Sequence, residues 1–374
     1  MKKVYLIAFA LLLVAGAGCG GPKKSAASDE VIGIIDKVNN YWQTNHPEHG
    51  RAFWDNAAYH TGNMEVYSLT GNPEYLKYSE SWAEHNQWKG AKSDNKDEWK
   101  YSYGESDDYV LFGDYQICFQ TYADLYTITP DEHKIARARE VMEYQMSTPT
   151  HDYWWWADGL YMVMPVMTKM YNITGNSLYL EKLHEYLAYA DSIMYDEEAG
   201  LYYRDGKYVY PKHKTMNGKK DFWARGDGWV LAGLAKVLKE LPQSDPYRQE
   251  YIDRFCTLSK SVAACQQPEG YWTRSMLDSE HAPGPETSGT AFFTYGLLWG
   301  MNNGFLDKAT YQPIVERAWK YLTEVALQPD GKVGYVQPIG EKAIPGQVVD
   351  ANSTSNFGVG AFLLAACEMY RFLK

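Results

Sequence analysis

From about residue 29 onward, apolar residues recur at three- and four-residue spacing, and Gly, Pro and Asn punctuate the pattern. The alternation that marks a strand is scarce. The periodicity predicts helices over 29–42, 56–70, 73–88, 107–127, 131–146, 157–173, 177–195, 222–241, 245–265, 286–303, 309–326 and 355–373. A short repeat fixes how they join: TGNPEYL (70–76) and TGNSLYL (174–180) share T-G-N-x-x-Y-L. Gly71 and Gly175 suit the left-handed position after a helix, Asn72 and Asn176 suit the N-cap of the next, and Pro73 suits its first turn. Pro130 with Asp131, and the segment GFLDKATYQ, repeat this corner at intervals of roughly fifty residues, the length of one helical hairpin. Six hairpins predict an all-α (α/α)6 barrel with inner and outer rings. The alternative, an open α-solenoid, calls for more uniform repeats. Inner helices should be apolar nearly all round, and a cleft should form where they begin. Nothing after residue 28 reads as a linker, so 29–374 is expected to be a single barrel domain.

The first residues have a different pattern. Lys2 and Lys3 precede an apolar run over 4–17, and small residues lead to Cys19, Gly20, Gly21 and Pro22. This resembles a bacterial lipoprotein signal (1–18) cleaved before a lipidated Cys19, with 19–28 as a tether. Gly16 stands where such signals favour Leu, so a plain secretory signal is the alternative. Either implies export; the lipoprotein form implies the periplasm or outer membrane, with a lipid anchor as the sole membrane contact.

Composition narrows the function. Net charge is −11, and the chain has no basic run, which argues against a nucleic-acid partner. Thirteen Trp and 32 Tyr fit either a large aromatic core or rings on which sugars stack. No later apolar stretch is long enough to span a membrane. Cys118, Cys256, Cys265 and Cys367 show no metal spacing and read as free thiols, a Cys256–Cys265 disulfide being the alternative in an oxidising compartment.

Four segments concentrate potential chemistry. In WWWADGLYMVMPVM (154–167), Asp158 follows three tryptophans whose indoles would desolvate it and raise its pKa, as a general acid needs. An N-cap is the plainer alternative, and Pro165 must kink the helix or mark its first turn. In FWARGDGWVLAGLAKVL (222–238), Arg225 between Trp223 and Trp229 could receive a carboxylate on a stacked ring, or could be a structural arginine on tryptophan. Asp114, in FGDYQICFQTYADLY, is a second catalytic carboxylate or another N-cap. Glu286 opens a further helix, where it would favour the positive end. His151 and His213 are loop histidines nearby. No HExxH, GxSxG, phosphate-loop or dinucleotide pattern occurs, so no metal and no cofactor is expected.

Taken in order, WWWADGLYMVMPVMTKMYNITGN, FWARGDGWVLAGLAKVL, ETSGTAFFTYGLLWGMNNGFLD, VGYVQPIG and FGVGAFLLA resemble glycoside hydrolase family 105, and more distantly family 88. The resemblance runs over nearly all of 29–374. It implies an (α/α)6 barrel that removes a non-reducing-end 4,5-unsaturated uronic acid from pectin-derived, rhamnogalacturonan-type oligosaccharides. An Asp protonates C4 of the vinyl ether and activates the water that adds at C5, and the hemiketal then opens. Asp158 matches the acid/base, Trp156 the aromatic residue two before it, Asp114 the second carboxylate, and Arg225 with Trp229 the carboxylate-binding and stacking pair. The chain departs at LYYRDG, where Arg204 or His213 takes the place of a pocket histidine, at Asp227, where Asn is usual, and at Gly159, where Ala is common. Two other functions fit the same residues: an inverting glycosidase with Asp114 as base, and a glycan-binding lipoprotein without turnover. A monomer acting on an unsaturated oligosaccharide is the expectation.

Overall fold

The computed structural model describes residues 26–374, so the expected leader (1–18) and Cys19 lie outside the described residues. Its helices are α1 (Ala26–Asn45), α2 (Trp54–Thr70), α3 (Pro73–His85), α4 (Gly113–Gln116), α5 (Cys118–Ile128), α6 (Ala136–Ser147), α7 (Ala157–Thr174), α8 (Leu178–Met194), α9 (Ala224–Glu240), α10 (Arg248–Ala264), α11 (Thr287–Asn302), α12 (Lys308–Tyr321) and α13 (Asn356–Leu373). A π-helical turn, Leu322–Ala326, extends α12. A short hairpin, β1 (Tyr195–Asp196) and β2 (Leu201–Tyr202), follows α8.

Burial separates two rings. In α11 every residue from Thr287 to Met301 is buried, whereas α12 buries Tyr311, Val315, Ala318 and Tyr321, a single stripe at helical spacing. The fully buried helices pack in a closed sequence: α2 on α5, α5 on α7, α7 on α9, α9 on α11, α11 on α13, and α13 back on α2. The striped helices α1, α3, α8, α10 and α12 cover them, and α6 packs on α8. The result is the (α/α)6 barrel; an open solenoid would not bring α13 onto α2.

The corners follow the sequence logic. Gly71 and Gly175 take φ 68° and 71°, and Asn72 accepts the Glu74 amide hydrogen. Pro165 lies inside α7 rather than opening it. A proline N–H cannot serve the carbonyl one turn earlier, and here Gln120 from α5 donates to Tyr161 O and Met162 O instead, at 2.8 and 3.1 Å. The helix predicted over 107–127 begins only at Gly113. Residues 107–111 fold back on the preceding loop, with Ser93 N on Asp107 O and Lys100 N on Asp108 O. No disulfide joins Cys256 and Cys265: both are free, and their thiols donate to Phe305 O and Ser261 O. Among the described residues, no helix is long and apolar enough to cross a membrane.

Candidate active site

The N-terminal ends of α4 and α7 open side by side at one mouth of the barrel, and each presents an aspartate as its second residue: Asp114 and Asp158. Neither side chain caps its helix, so both are free for other work. Trp156 wedges between the two helix starts. A Cβ on Gly113 would come within 3.0 Å of its ring and one on Gly159 within 3.2 Å, so glycine at both positions lets the indole seat this deeply.

A cleft of about 530 Å³ lies in front, lined by Asp114, Asp158, Trp155, Trp156, Phe112, Met162, Arg204 and residues of four loops. Burial pushes the Asp114 carboxyl well above the usual carboxylate range, and the neighbouring negative charge of Asp158 adds to the effect. Asp158, also buried, meets a cation: Arg204 Nε donates to its Oδ2 at 3.2 Å. The backbone explains this placement. Ala157 N donates to Arg204 O at 2.8 Å, pinning the segment after β2 to the first turn of α7. Arg204 Nη1 also reaches Asp205 at 2.8 Å and Glu341 at 3.2 Å.

Of the tryptophan triplet, Trp154 turns into the core against Tyr186, while Trp155 and Trp156 both line the cleft. Trp155 is the more exposed of the two and lies near Phe112 and Arg204. The family resemblance points to Trp156, whereas the cleft exposes Trp155 more.

The second expected cluster is not in the cleft. Arg225 is 1% exposed, stacked between Trp223 and Phe357, and spends its donors on Gln337 O at 2.7 Å and Pro338 O at 2.9 Å. Burial lowers its pKa to about 10. Trp223 Nε1 donates to the Gln337 side chain, and Glu286, besides capping α11, accepts the Gln337 amide hydrogen. Trp229 packs among Tyr161, Phe292 and Trp54. Arg225, Trp223 and Glu286 clamp the stem of the loop that carries Ile339, Gly340 and Glu341 to the cleft rim. His213 also lies outside the cleft, paired with Asp221 at 2.8 Å behind Tyr208. His151 is exposed and meets the edge of Tyr189. Neither histidine has the placement of a pocket group.

Sequence reasoning passed over Glu341, Lys207, Arg51, Asp55 and Glu105, all of which line the cleft. Glu341 follows directly on VGYVQPIG, and Arg51 stands just before the start of α2. Proximity to those blocks is the signal that could have found them. Among the described residues, no group of three or more His, Cys, Asp or Glu could hold a metal ion.

Comparison with known proteins places this geometry. The profile described as Glycosyl Hydrolase Family 88 matches residues 34–373. An "Unsaturated 3S-rhamnoglycuronyl hydrolase" from Formosa agariphila is 32% identical over 343 residues, covering 88% of each chain. A solved structure of a "Glycosyl hydrolase family 88" protein from Bacteroides vulgatus is 70% identical, with TM-score 0.91 over 92% of this chain and 99% of that one. Another, named a polysaccharide lyase, is 85% identical, with TM-score 0.92 over 93% of this chain and 98% of that one. A family 105 candidate from Salmonella enterica shares the fold at 19% identity and TM-score 0.74.

Proposed function

The chain belongs to glycosyl hydrolase family 88, and from that premise we propose that it removes a 4,5-unsaturated uronic acid from the non-reducing end of an oligosaccharide. The observation that carries this reading is the pair Asp114 and Asp158, converging on one aromatic-walled cleft. In this reading Asp158 gives a proton to C4 of the vinyl ether. The cation left at C5 is stabilised by the ring oxygen. Water, deprotonated by the same carboxylate, adds at C5, and the hemiketal opens to release the aglycone sugar. Atoms balance with one water consumed and no covalent enzyme intermediate. Asp114 holds a sugar hydroxyl and sets the charge beside Asp158. Trp155 offers its face for the ring C–H groups, with the buried Trp156 backing it. The leaving sugar we propose is rhamnose or a related residue of a rhamnogalacturonan-type chain, in keeping with the rhamnoglycuronyl hydrolase named above.

The lyase named above supplies a second reading, and one assay separates the two. A lyase creates the C4=C5 bond, so ultraviolet absorbance rises on a saturated uronan. A hydrolase of unsaturated ends consumes the bond, so absorbance falls on lyase-generated oligosaccharides. We expect the fall and no rise. A rise on the saturated polymer, with no fall on its unsaturated fragments, refutes the proposal.

A further inference from the structure

Two cations on one wall of the cleft, and a phenol behind them, converge on a single carboxylate of the protein itself. Glu341 Oε2 accepts from Lys207 Nζ at 3.0 Å and from Arg204 Nη1 at 3.2 Å, and Tyr208 donates its hydroxyl hydrogen to Oε1 at 2.6 Å. Burial works against ionisation of Glu341, but the Tyr208 and Lys207 hydrogen bonds outweigh it and hold the carboxyl below its ordinary range. The loop bearing Glu341 is clamped at its stem by Arg225 and Trp223, and its tip faces solvent, with Ile339 66% exposed and Glu341 43% exposed.

We infer that Arg204, Lys207 and Tyr208 form the receptor for the uronate carboxylate of the substrate, and that Glu341 occupies it in the resting protein as a stand-in the substrate displaces. This rests on the function proposed above. The geometry ties the receptor to the reaction centre through one guanidinium: Arg204 reaches Glu341 with Nη1 and Asp158 with Nε at 3.2 Å. A uronate carboxylate is carried on C5. Seated where Glu341 now lies, it brings the C4=C5 bond alongside Asp158. The receptor also explains why Arg225 can be spent on the loop stem, since the cleft has another guanidinium for the sugar acid. An internal carboxylate in the receptor lowers apparent affinity in proportion to how often it is home, and it favours ligands whose carboxylate outcompetes it.

The test combines steady-state kinetics on an unsaturated uronyl disaccharide with calorimetry using free glucuronate, on the full chain. Glu341→Gln keeps the side chain's size and removes the competing charge. It should lower KM about five-fold with kcat little changed, a size suited to half-exposed ion pairs. Lys207→Met should raise KM about five-fold in the Glu341→Gln background, and by less in the native one, where it also weakens the competing Glu341. The methyl ester of the substrate, which lacks the charge, should respond to neither change. If Glu341→Gln instead raises KM or cuts kcat about ten-fold, Glu341 serves to aim Arg204 and the inference is overturned. An unchanged KM for Lys207→Met in the Glu341→Gln background overturns it as well. Should no form of the protein consume the double bond, the proposed function fails by itself. In that case, tighter glucuronate binding by Glu341→Gln than by the native chain still upholds the receptor, and equal binding removes it.

Discussion

Two carboxyls pushed toward their protonated forms have opposite consequences for the molecule. Asp114 is buried where the chemistry is proposed, and its raised pKa is part of the cleft. Asp227 is also raised by burial yet lies outside the cleft: Oδ1 accepts the Tyr202 amide hydrogen at 2.7 Å, while Oδ2 is buried without a partner. A carboxyl whose folded pKa exceeds its unfolded one contributes stability that is intact below the unfolded value and is lost as pH rises toward the folded value. Asp227→Asn keeps the Tyr202 bond and removes that loss. We therefore expect the variant to be more stable by roughly 1–3 kcal/mol, with the gain growing as pH rises above the ordinary carboxylate range. Melting temperatures at pH 4 and pH 8 check this: an equal difference at both would show that ionisation is not the cause. Gly159→Ala is a second residue-scale case. Its Cβ would press on the Trp156 ring at 3.2 Å, so KM should rise about three-fold, by less than 1 kcal/mol, with little change in melting temperature.

At the scale of elements, the barrel depends on how closely its first and last inner helices approach. A Cβ on Gly360 of α13 would meet Ala58 O of α2 at 2.4 Å, and one on Gly62 would meet Gly360 O at the same distance. Backbone cannot step aside as a side chain can, so Gly360→Ala should cost about 2–3 kcal/mol, read as a lowered denaturation midpoint. A midpoint equal to that of the native chain would show that ring closure tolerates a wider gap. The helices themselves were legible, because burial on one stripe or on all sides leaves a period that sequence records directly. The corners were legible because Gly71, Gly175, Asn72 and Asp131 act through their own backbone neighbours. What sequence could not show is chemistry decided across the chain. Arg225 between two tryptophans reads as an open receptor until the carbonyls of Gln337 and Pro338, more than a hundred positions away, are seen to take its donors. For the same reason Arg204 was weighed only as a replacement for a histidine, and its contact with Asp158 depends on a backbone bond between two distant segments.

Across the whole molecule, the two ends of the barrel carry charge differently. The helix starts gather a cleft whose carboxylates outnumber its cations. The opposite end is held by an ion-pair network in which Glu65 of α2 meets Lys239 of α9 and Arg371 of α13. Burial opposes ionisation of Glu65, but these cations outweigh it and depress its pKa. A depressed carboxylate contributes stability above its unfolded pKa and loses it as pH falls toward the folded value. Glu65→Gln should thus cost about 2 kcal/mol near neutrality, a value discounted for the partly exposed cations, and the deficit should shrink in acid. Denaturant unfolding at pH 7 and pH 3 measures that difference, and a deficit that persists in acid would assign it to lost packing. The two ends are separable, so damage to the network should leave turnover per folded molecule unchanged. The central claim rests on the other end. The most direct test is to follow the ultraviolet absorbance of lyase-generated unsaturated oligosaccharides with the native chain and with Asp158→Asn, each shown to be folded. The account predicts a steady fall with the native chain and at least a thousand-fold slower fall with the variant, as loss of the proton donor implies; turnover by Asp158→Asn at the native rate would contradict it.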